Sequence, residues 1–218
     1  MILAAGFGSR LKPLTDNTPK AMIVYKGKTL IKHQIERLKK AGVSEIVINA
    51  HHLADKLSDY IRVNDFGVKI NVIEEKEILG TGGGVLNASF FLKNEKSFVV
   101  INVDVDTDFN LLDMFEYHQV HNSFVTLAIQ KRKTKRYLEF DSELFLTRRA
   151  NEHSQEKNLF AFNGIHIISG DIFNEGFEIK YLDIIDLFLE LIQRGRKIKG
   201  FDMGLSGFKD IGKLQNLQ

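Results

Sequence analysis

The chain has 218 residues, a length that suits one α/β domain and excludes a large multidomain machine, and its 44% hydrophobic and 27% charged residues are typical of a folded globular protein. Thirty Lys and Arg against 28 Asp and Glu leave a formal charge of +2, too balanced for a protein whose main partner is a nucleic acid or an anionic membrane, but compatible with a small anionic ligand. The absence of Cys excludes disulfides, thiolate metal sites and cysteine nucleophiles, so any metal must be bound by oxygen or imidazole.

Up to about residue 122, short β-branched runs alternate with helical patterns, which is typical of βαβ units and a mostly parallel sheet. These patterns predict strands at 1–5, 46–48, 69–73 and 98–101, and helices at 29–41, 53–63 and 84–91. Beyond residue 122 they predict strands near 124–130, 136–140, 143–147 and 160–168, and a helix at 183–194. Since no linker or repeat separates the halves, we expect one α/β domain over residues 1–218, whose second half extends the sheet of the first.

Ligands of open parallel sheets bind outside the carboxyl ends of the strands. The loop after the first strand holds both prolines of the chain, Pro13 and Pro19. Gly6 and Gly8 allow successive backbone N–H groups to form an anion-binding nest, and Arg10 and Lys20 add the positive charge that a triphosphate needs at several oxygens. The alternative is a glycine turn that carries two surface cations.

Neither common phosphate loop fits this segment. Leu11 stands where a dinucleotide fingerprint has its third glycine, and no Walker A motif occurs in the chain. The segment instead reads Leu3-Ala4-Ala5-Gly6-x-Gly8-Ser9-Arg10-Leu11-x-Pro13-Leu14-Thr15 and closes with Thr18-Pro19-Lys20. This string resembles the signature of the sugar-1-phosphate nucleotidyltransferases, also called nucleoside-diphosphate-sugar pyrophosphorylases.

The resemblance implies a Rossmann-like nucleotidyltransferase fold, with a mostly parallel mixed sheet flanked by helices, and a Mg²⁺ cofactor. It implies that Arg10 and Lys20 are catalytic and grip the pyrophosphate and α-phosphate oxygens. It also implies that the loop wraps the nucleotide phosphates, with nucleotide-binding positions at Leu3, Ala4, Ala5, Gly6, Gly8, Ser9, Arg10 and Lys20.

A second glycine-rich segment precedes a helical pattern. Glycines at a helix N-terminus supply N–H donors to a ligand and let a flat base lie against the main chain. The segment is similar to a family stretch that contacts the nucleobase and ribose, although a mobile turn is the alternative. The resemblance implies that it binds nucleotide through Gly80, Thr81, Gly82 and Gly83.

Asp104 follows a strongly apolar strand, where a carboxylate is costly unless it binds a cation or hydrogen-bond donors. Its surroundings resemble the family motif Asn-Gly-Asp-Val-x-x-Asp-Phe, which implies that Asp104 is catalytic and coordinates Mg²⁺. Val103 replaces the usual Gly, and either crowds the nucleotide or shifts the strand end. The segment 207–212 resembles the late family element that provides a second metal carboxylate, here Asp210, which requires the last strand to return beside the centre of the sheet.

The second half is expected to recognise the sugar. The segment 161–166 resembles a pocket-lining family strand, which implies sugar-binding roles for Asn163 and Gly164, and Tyr137 lies either in that pocket or in the core. Asn151 and Glu152 are weaker candidates for binding a hydroxyl group.

Two further features have plain explanations. His51 and His52 are expected to lie in a loop that lines the site, because adjacent strand residues point to opposite faces and do not share a metal. The basic run 131–136 is expected to be a solvated edge, because no aromatic residues are interleaved with its cations as RNA binding would require.

The expected reaction is Mg²⁺-dependent nucleotidyl transfer from an NTP to a sugar-1-phosphate. Residues 1–122 form the nucleotide-binding half and 123–218 the sugar-binding half. Within the family the chain most resembles N-acetylmuramate-1-phosphate uridylyltransferases and small mannose-1-phosphate guanylyltransferases, which favours UTP or GTP. A CTP:phosphocholine cytidylyltransferase-like enzyme and a non-catalytic nucleotide-binding relative are the alternatives.

We expect no nucleic-acid or membrane partner, and the sequence does not indicate an oligomeric state. A cytoplasmic location is expected for two reasons. The apolar N-terminal segment reaches Arg10 too soon for a signal peptide, and no stretch approaches about 18 uninterrupted apolar residues.

Overall fold

A computed structural model describes residues 1–150 and 158–217. Its strands are β1 (Ile2–Leu3), β2 (Val24–Tyr25), β3 (Lys28–Thr29), β4 (Glu45–Ala50), β5 (Lys69–Glu74), β6 (Ser97–Asn102), β7 (Val105–Thr107), β8 (Val125–Gln130), β9 (Tyr137–Phe140), β10 (Leu146–Ala150), β11 (Leu159–Ser169), β12 (Ile198–Asp202) and β13 (Phe208–Asp210). Its α-helices are α1 (Leu30–Lys40), α2 (Ala54–Val63), α3 (Gly80–Asn87), α4 (Ser89–Leu92), α5 (Leu111–His121) and α6 (Ile184–Gln193).

Nine strands form one twisted mixed sheet that both halves of the chain share. Seven of them follow the order β10-β9-β11-β6-β1-β4-β5, and β8 pairs with both β11 and β12. The pairs β1–β4, β1–β6, β4–β5 and β8–β12 are parallel, whereas β11 runs antiparallel to β6, β8 and β9. The second half therefore extends the sheet of the first, as the sequence predicts.

Two apolar cores lie on the two faces of the sheet. Successive strand residues point to opposite faces, so Ile48 packs in one core and its neighbour Val47 in the other. Helices α1, α2 and α5 contribute buried residues to the first core, and α3, α4 and α6 contribute to the second. The α/β class with a helix-flanked sheet is therefore confirmed.

Helix α1 shows why the stronger sequence patterns are reliable. The Thr29 side chain caps the helix by accepting a hydrogen bond of 3.3 Å from the backbone N–H of Lys32. Ile31, Ile35 and Leu38 recur at helical spacing and are completely buried. The helix then ends before Gly42, whose φ of +81° suits glycine.

Several elements differ from the sequence-based expectation. The predicted helix 84–91 begins earlier, at Gly80, and is divided into α3 and α4. Helix α5 was not predicted because it has apolar residues on both sides, buried Leu111 and Met114 but exposed Leu112 and Val120, which removes the periodic signal. In the described part of the chain, no helix has the length and apolar character needed to cross a membrane.

Two histidines, His118 and His166, are buried in the fold. His166 on β11 lies between the rings of Phe162 and Phe188, and within the described residues neither of its ring nitrogens finds a hydrogen-bond partner. His118 on α5 is 2.8 Å from the Thr126 hydroxyl. Burial lowers the pKa of His166 to about 3 and that of His118 to about 4, so both are neutral in the folded state at neutral pH.

We expect these histidines to destabilise the fold as the pH falls from 6.5 towards 4. In that range the unfolded chain protonates them and the folded chain does not, so each lowers the free energy of unfolding by about 1.4 kcal/mol per pH unit. In urea unfolding, the free energy of unfolding should decrease less between pH 6.0 and pH 5.0 for His166→Phe than for the wild type. The exposed His121→Gln control should keep the wild-type slope, and an unchanged slope in His166→Phe would contradict the assignment.

Candidate active site

The loop from Gly6 to Lys20 folds back on itself. Gly8 has a φ of +66°, and its carbonyl accepts a hydrogen bond of 2.9 Å from the Thr15 hydroxyl. A Cβ at Gly8 would lie 2.7 Å from the Thr15 methyl carbon and 3.1 Å from the Lys20 Cβ, so this position requires glycine for both its conformation and its close contacts. Leu11 anchors the loop because its side chain is completely buried. The loop thus returns Lys20 to its own beginning.

Four charged side chains, which we call the charge cluster, meet beside this loop. They are Arg10, Lys20, Asp104 and Asp210. The Lys20 Nζ donates to the Asp104 Oδ2, and both side chains are largely buried. The Arg10 guanidinium is 3.2 Å from the Asp210 Oδ2 and 4.0 Å from the Asp104 Oδ2. The structure therefore brings together the two cations and the two carboxylates for which the sequence predicts catalytic or metal-binding roles.

Asp210 reaches the cluster through a ribbon of two strands. Strand β13 pairs antiparallel with β7, and Asp210 lies opposite Val105. The backbone N–H of Ile211 then donates to the Asp104 carbonyl at 2.8 Å. The last strand therefore returns beside the segment that follows β6, a middle strand of the sheet, but it joins β7 in a separate ribbon rather than the main sheet.

Gly212 shows how tightly the cluster is packed. A Cβ at this position would lie 2.5 Å from the Asp104 Oδ2, 2.9 Å from the Asp210 Oδ1 and 2.9 Å from the Arg10 Nη2. One point is thus within 3 Å of oxygens from both carboxylates. Only glycine leaves this space free at the centre of the cluster.

The donor set of the cluster suits a hard divalent cation. Mg²⁺ prefers oxygen ligands and is usually bound by one or two carboxylates together with water and substrate phosphates. Asp104 and Asp210 offer that pair, and residues 1–150 and 158–217 contain no group of three or more His, Asp or Glu side chains arranged for a metal. The site therefore fits a cation that arrives with a phosphate ligand better than one enclosed by protein alone.

Val103 does not crowd the cluster. Its side chain is 2% exposed and packs in the core formed with α1, α2 and α5. Its backbone is fixed as well, since the Gln34 side-chain amide donates to the carbonyls of Val103 and Val105 at 3.2 and 2.6 Å. The Val103 side chain therefore points into the core rather than into the cluster.

The glycine-rich start of α3 contacts another part of the same chain. The backbone N–H groups of Gly82 and Gly83 donate to the Leu182 carbonyl at 2.8 and 3.2 Å. A Cβ at Gly80 would lie 2.7 Å from that same oxygen, and the Thr81 hydroxyl accepts from the backbone N–H of Ile184 at 2.9 Å. The N–H groups of Gly82 and Gly83 are therefore used by the segment that precedes α6, and the nucleotide-binding role of Gly80, Thr81, Gly82 and Gly83 stays a prediction that these two donors do not support.

Asn163 also has a different role from the predicted one. It is 1% exposed, its Oδ1 accepts from the Arg132 Nε at 2.7 Å, and its Nδ2 lies 3.0 Å from the Met203 sulfur. The prediction that Asn163 binds sugar hydroxyls is wrong for this structure, because the side chain is buried and each end of its amide already contacts a protein group. Gly164 has a φ of +74° at a bulge of β11, where a Cβ would lie 2.7 Å from the Asn102 Nδ2.

The remaining candidates for sugar binding are Tyr137, Asn151 and Glu152. Tyr137 is half-buried on β9, and its hydroxyl accepts from the backbone N–H of Thr134 at 3.4 Å. Asn151 and Glu152 lie outside the described residues.

A family model described as "Nucleotidyl transferase" matches residues 1–218. The chain belongs to this family. Among its relatives are the mannose-1-phosphate guanylyltransferase catalytic subunits beta of Danio rerio, 37% identical over 134 residues, and of Dictyostelium discoideum, 35% identical over 133 residues. Each match covers 60% of this chain and 37% of the relative, so the similarity concerns little more than a third of the length of these enzymes.

Solved structures share the fold along almost the whole chain. HddC from Yersinia pseudotuberculosis complexed with GMP-PN is 25% identical with a TM-score of 0.79, and the match covers 99% of this chain and 94% of that one. The inositol-1-phosphate CTP transferase from T. maritima is 21% identical with a TM-score of 0.84, covering 100% and 90%. The nucleotidyltransferase fold that the sequence predicts is therefore confirmed.

His51 and His52 pack beside the loop from Gly6 to Lys20 of this nucleotidyl transferase. The Phe7 ring packs edge-on against His51 at 5.3 Å and lies 5.8 Å from His52. The two imidazoles contact different backbone carbonyls, His51 that of Glu75 at 2.8 Å and His52 that of Thr15 at 3.2 Å. This arrangement agrees with the expected loop beside the site and not with a shared metal.

A buried polar pair, which sequence reasoning did not identify, connects the end of the first strand, just before the loop from Gly6 to Lys20, to the start of the glycine-rich segment. The Asn49 Oδ1 accepts from the backbone N–H of Ala4 at 2.9 Å, and its Nδ2 donates to the Glu75 Oε1 at 2.7 Å. The Glu75 Oε2 accepts from the backbone N–H of Leu79 at 3.1 Å. Both side chains are at most 3% exposed. The available signal was a polar residue at the carboxyl end of each of two neighbouring strands, β4 and β5.

Exchanging the amide of Asn49 and the carboxylate of Glu75 in one double variant should restore the stability that each single substitution removes. Asn49→Asp places two carboxylates together in the interior, and Glu75→Gln sets an amide against a backbone donor. We expect each substitution to lower the free energy of unfolding by about 1 to 3 kcal/mol, and Asn49→Asp by more because it adds a buried charge. The double variant regenerates all three hydrogen bonds. Its free energy of unfolding, measured with urea, should therefore be at least about 2 kcal/mol higher than the value expected if the losses of the two single variants were additive.

A matched control lies on the same two strands. The Asn71 Nδ2 donates to the Glu45 Oε1 at 2.7 Å, but this pair is exposed. The exchange Glu45→Gln with Asn71→Asp should give a coupling energy below about 0.5 kcal/mol. Additive losses at Asn49 and Glu75 would contradict the proposed connection.

Proposed function

We propose that this nucleotidyl transferase acts on a nucleoside triphosphate and a sugar-1-phosphate and produces an NDP-sugar and pyrophosphate. The observation that carries the proposal is the charge cluster, in which two cations from the phosphate loop face two carboxylates from distant parts of the chain. The relatives named as mannose-1-phosphate guanylyltransferases favour GTP and mannose-1-phosphate as the first pair to test, ahead of UTP.

In the proposed reaction an oxygen of the acceptor phosphate attacks the α-phosphorus in line. A new P–O bond forms, the bond between the α-phosphorus and its bridging oxygen breaks, and pyrophosphate leaves with the electron pair. A phosphomonoester dianion is already nucleophilic, so no general base and no covalent enzyme intermediate is needed. The protein's contribution is positioning and charge neutralisation.

Each residue of the cluster has a place in this scheme. Asp104 and Asp210 would hold Mg²⁺, which when bound neutralises charge on the phosphate oxygens. Lys20 and Arg10 would exchange their carboxylate partners for phosphate oxygens, Lys20 on the transferred group and Arg10 on the leaving pyrophosphate. Because the cations and the carboxylates are paired in the free protein, neither is left as an unpaired charge before the substrate binds.

We further propose a division of labour within the chain. Residues 1–122 contribute the loop with Arg10 and Lys20 and also Asp104, and they would bind the nucleotide. Residues 123–218 contribute Asp210 and the strands on the other side of β6, and they would bind the sugar.

A substrate panel tests the reaction itself. The purified protein with Mg²⁺ should release pyrophosphate from GTP or UTP in the presence of mannose-1-phosphate or another sugar-1-phosphate. Turnover only with CTP and phosphocholine would contradict the sugar assignment. Nucleotide binding without turnover on any of the four NTPs would identify a binding protein instead.

Lys20→Met should lower kcat/KM by at least about 100-fold, because it removes a preorganised donor worth about 3 kcal/mol at the transition state. Steady-state pyrophosphate release measures this loss. Lys12→Met is a matched control, since Lys12 lies in the same loop but is exposed and pairs with Asp16 at 3.2 Å. We expect the control to stay within twofold of the wild type, and a similar small effect at Lys20 would contradict its role.

A further inference from the structure

A cation from the second half of the chain lies beside the charge cluster. The Arg132 guanidinium carbon is 4.3 Å from the centroid of the Phe208 ring. Phe208 begins β13 and Asp210 ends it, so their side chains leave the strand on the same face, about 7 Å apart. The guanidinium therefore stacks on the residue two positions before the carboxylate that pairs with Arg10, and the negative charge of Asp210 acts on it.

Arg132 is held in place, unlike its neighbours in the basic run. Its Nε donates to the Asn163 Oδ1 at 2.7 Å and its Nη2 donates to the Phe162 carbonyl at 3.1 Å. Asn163 is itself buried and fixed by Met203. Lys131 and Lys133, on either side of Arg132, are exposed. The sequence-based expectation of a solvated edge therefore does not apply to Arg132.

The electrostatic surroundings agree with this position. Burial lowers the pKa of Arg132, and the negative charge of Asp210 acts in the opposite direction. An arginine remains charged at any physiological pH, so the guanidinium is a fixed, partly desolvated positive charge. Within residues 1–150 and 158–217, its Nη1 donors have no hydrogen-bond partner.

We propose that Arg132 binds the phosphate of the acceptor, a phosphomonoester, and orients it for attack on the nucleotide. This inference rests on the proposed function. The triphosphate occupies Arg10 and Lys20, both from the loop after β1. The acceptor brings two more negative charges to the same place and must arrive opposite the leaving group, so it needs a cation from another part of the chain. Arg132 supplies one, with a planar pair of free donors suited to phosphate.

Asn163 then acts as a positioning residue through Arg132. It fixes the guanidinium plane by accepting from Nε, which leaves the opposite Nη1 end directed away from that hydrogen bond. This assigns a function to a buried amide that sugar hydroxyls do not reach.

Measuring KM for each substrate distinguishes an effect on acceptor binding from an effect on nucleotide binding. Arg132→Met should raise the KM for the sugar-1-phosphate at least tenfold, while the KM for the NTP stays within twofold. Arg132→Lys, which keeps the charge but not the planar donor pair, should fall between Arg132→Met and the wild type. Asn163→Ala should raise the acceptor KM in the same direction. Lys133→Met makes the same charge change at the adjacent exposed residue and should leave both KM values unchanged.

The outcomes distinguish this inference from the proposed function. If the wild type is active and Arg132→Met leaves the acceptor KM unchanged, or raises the KM of the NTP instead, the assignment of Arg132 is overturned. If the wild type turns over no NTP with any sugar-1-phosphate, the proposed function fails. Calorimetric titration with mannose-1-phosphate then tests Arg132 alone, and equal affinities of wild type and Arg132→Met would overturn it.

Discussion

The pairing of Lys20 with Asp104 is the interaction on which the site depends. Both side chains are largely buried, and a charge removed from water is costly unless an opposite charge lies against it. Arg10 extends the pair to Asp210 and so connects the first loop of the chain to its last strand. The free protein thus holds its cations and carboxylates as counterions of each other, in the place where phosphates and a divalent cation would separate them.

Close backbone packing makes this arrangement possible. At Gly8 and Gly212 a single added carbon would collide with members of the cluster or with the loop that carries Lys20. Asn49 and Glu75 link the residue Ala4, just before this loop, to Leu79 through a chain of three hydrogen bonds. The position of the charges is therefore set by rigid elements of the sheet, which suits a reaction in which the protein orients groups and takes up no covalent bond.

The sequence predicts those parts of the fold whose signal is local. Helix α1 has its cap, apolar stripe and terminal glycine within 14 residues, and the structure has it at nearly the predicted bounds. Helix α5 carries apolar residues on both sides, and β12 contains Lys199 and Gly200, so neither has a usable period. Asp210 could be connected to Asp104 only through a family motif, because no local pattern records a contact between such distant residues.

The site residues show a second limit of sequence reasoning. Glycine is needed wherever a backbone approaches closely, whether the neighbour is a ligand or another segment of the protein. For Gly82 and Gly83 the neighbour is Leu182, and for Asn163 the partner is Arg132 rather than a sugar. Residue types predict that something is bound at these positions, but only the tertiary arrangement identifies the partner.

We propose that the charge cluster exchanges partners when a nucleotide binds together with a divalent cation. Isothermal titration with a non-hydrolysable analogue of the accepted NTP, with Mg²⁺ and with EDTA, measures this exchange. We expect at least tenfold tighter binding with Mg²⁺ than with EDTA in the wild type, and loss of that difference in Asp104→Asn. Equal affinity with Mg²⁺ and with EDTA in the wild type would contradict it.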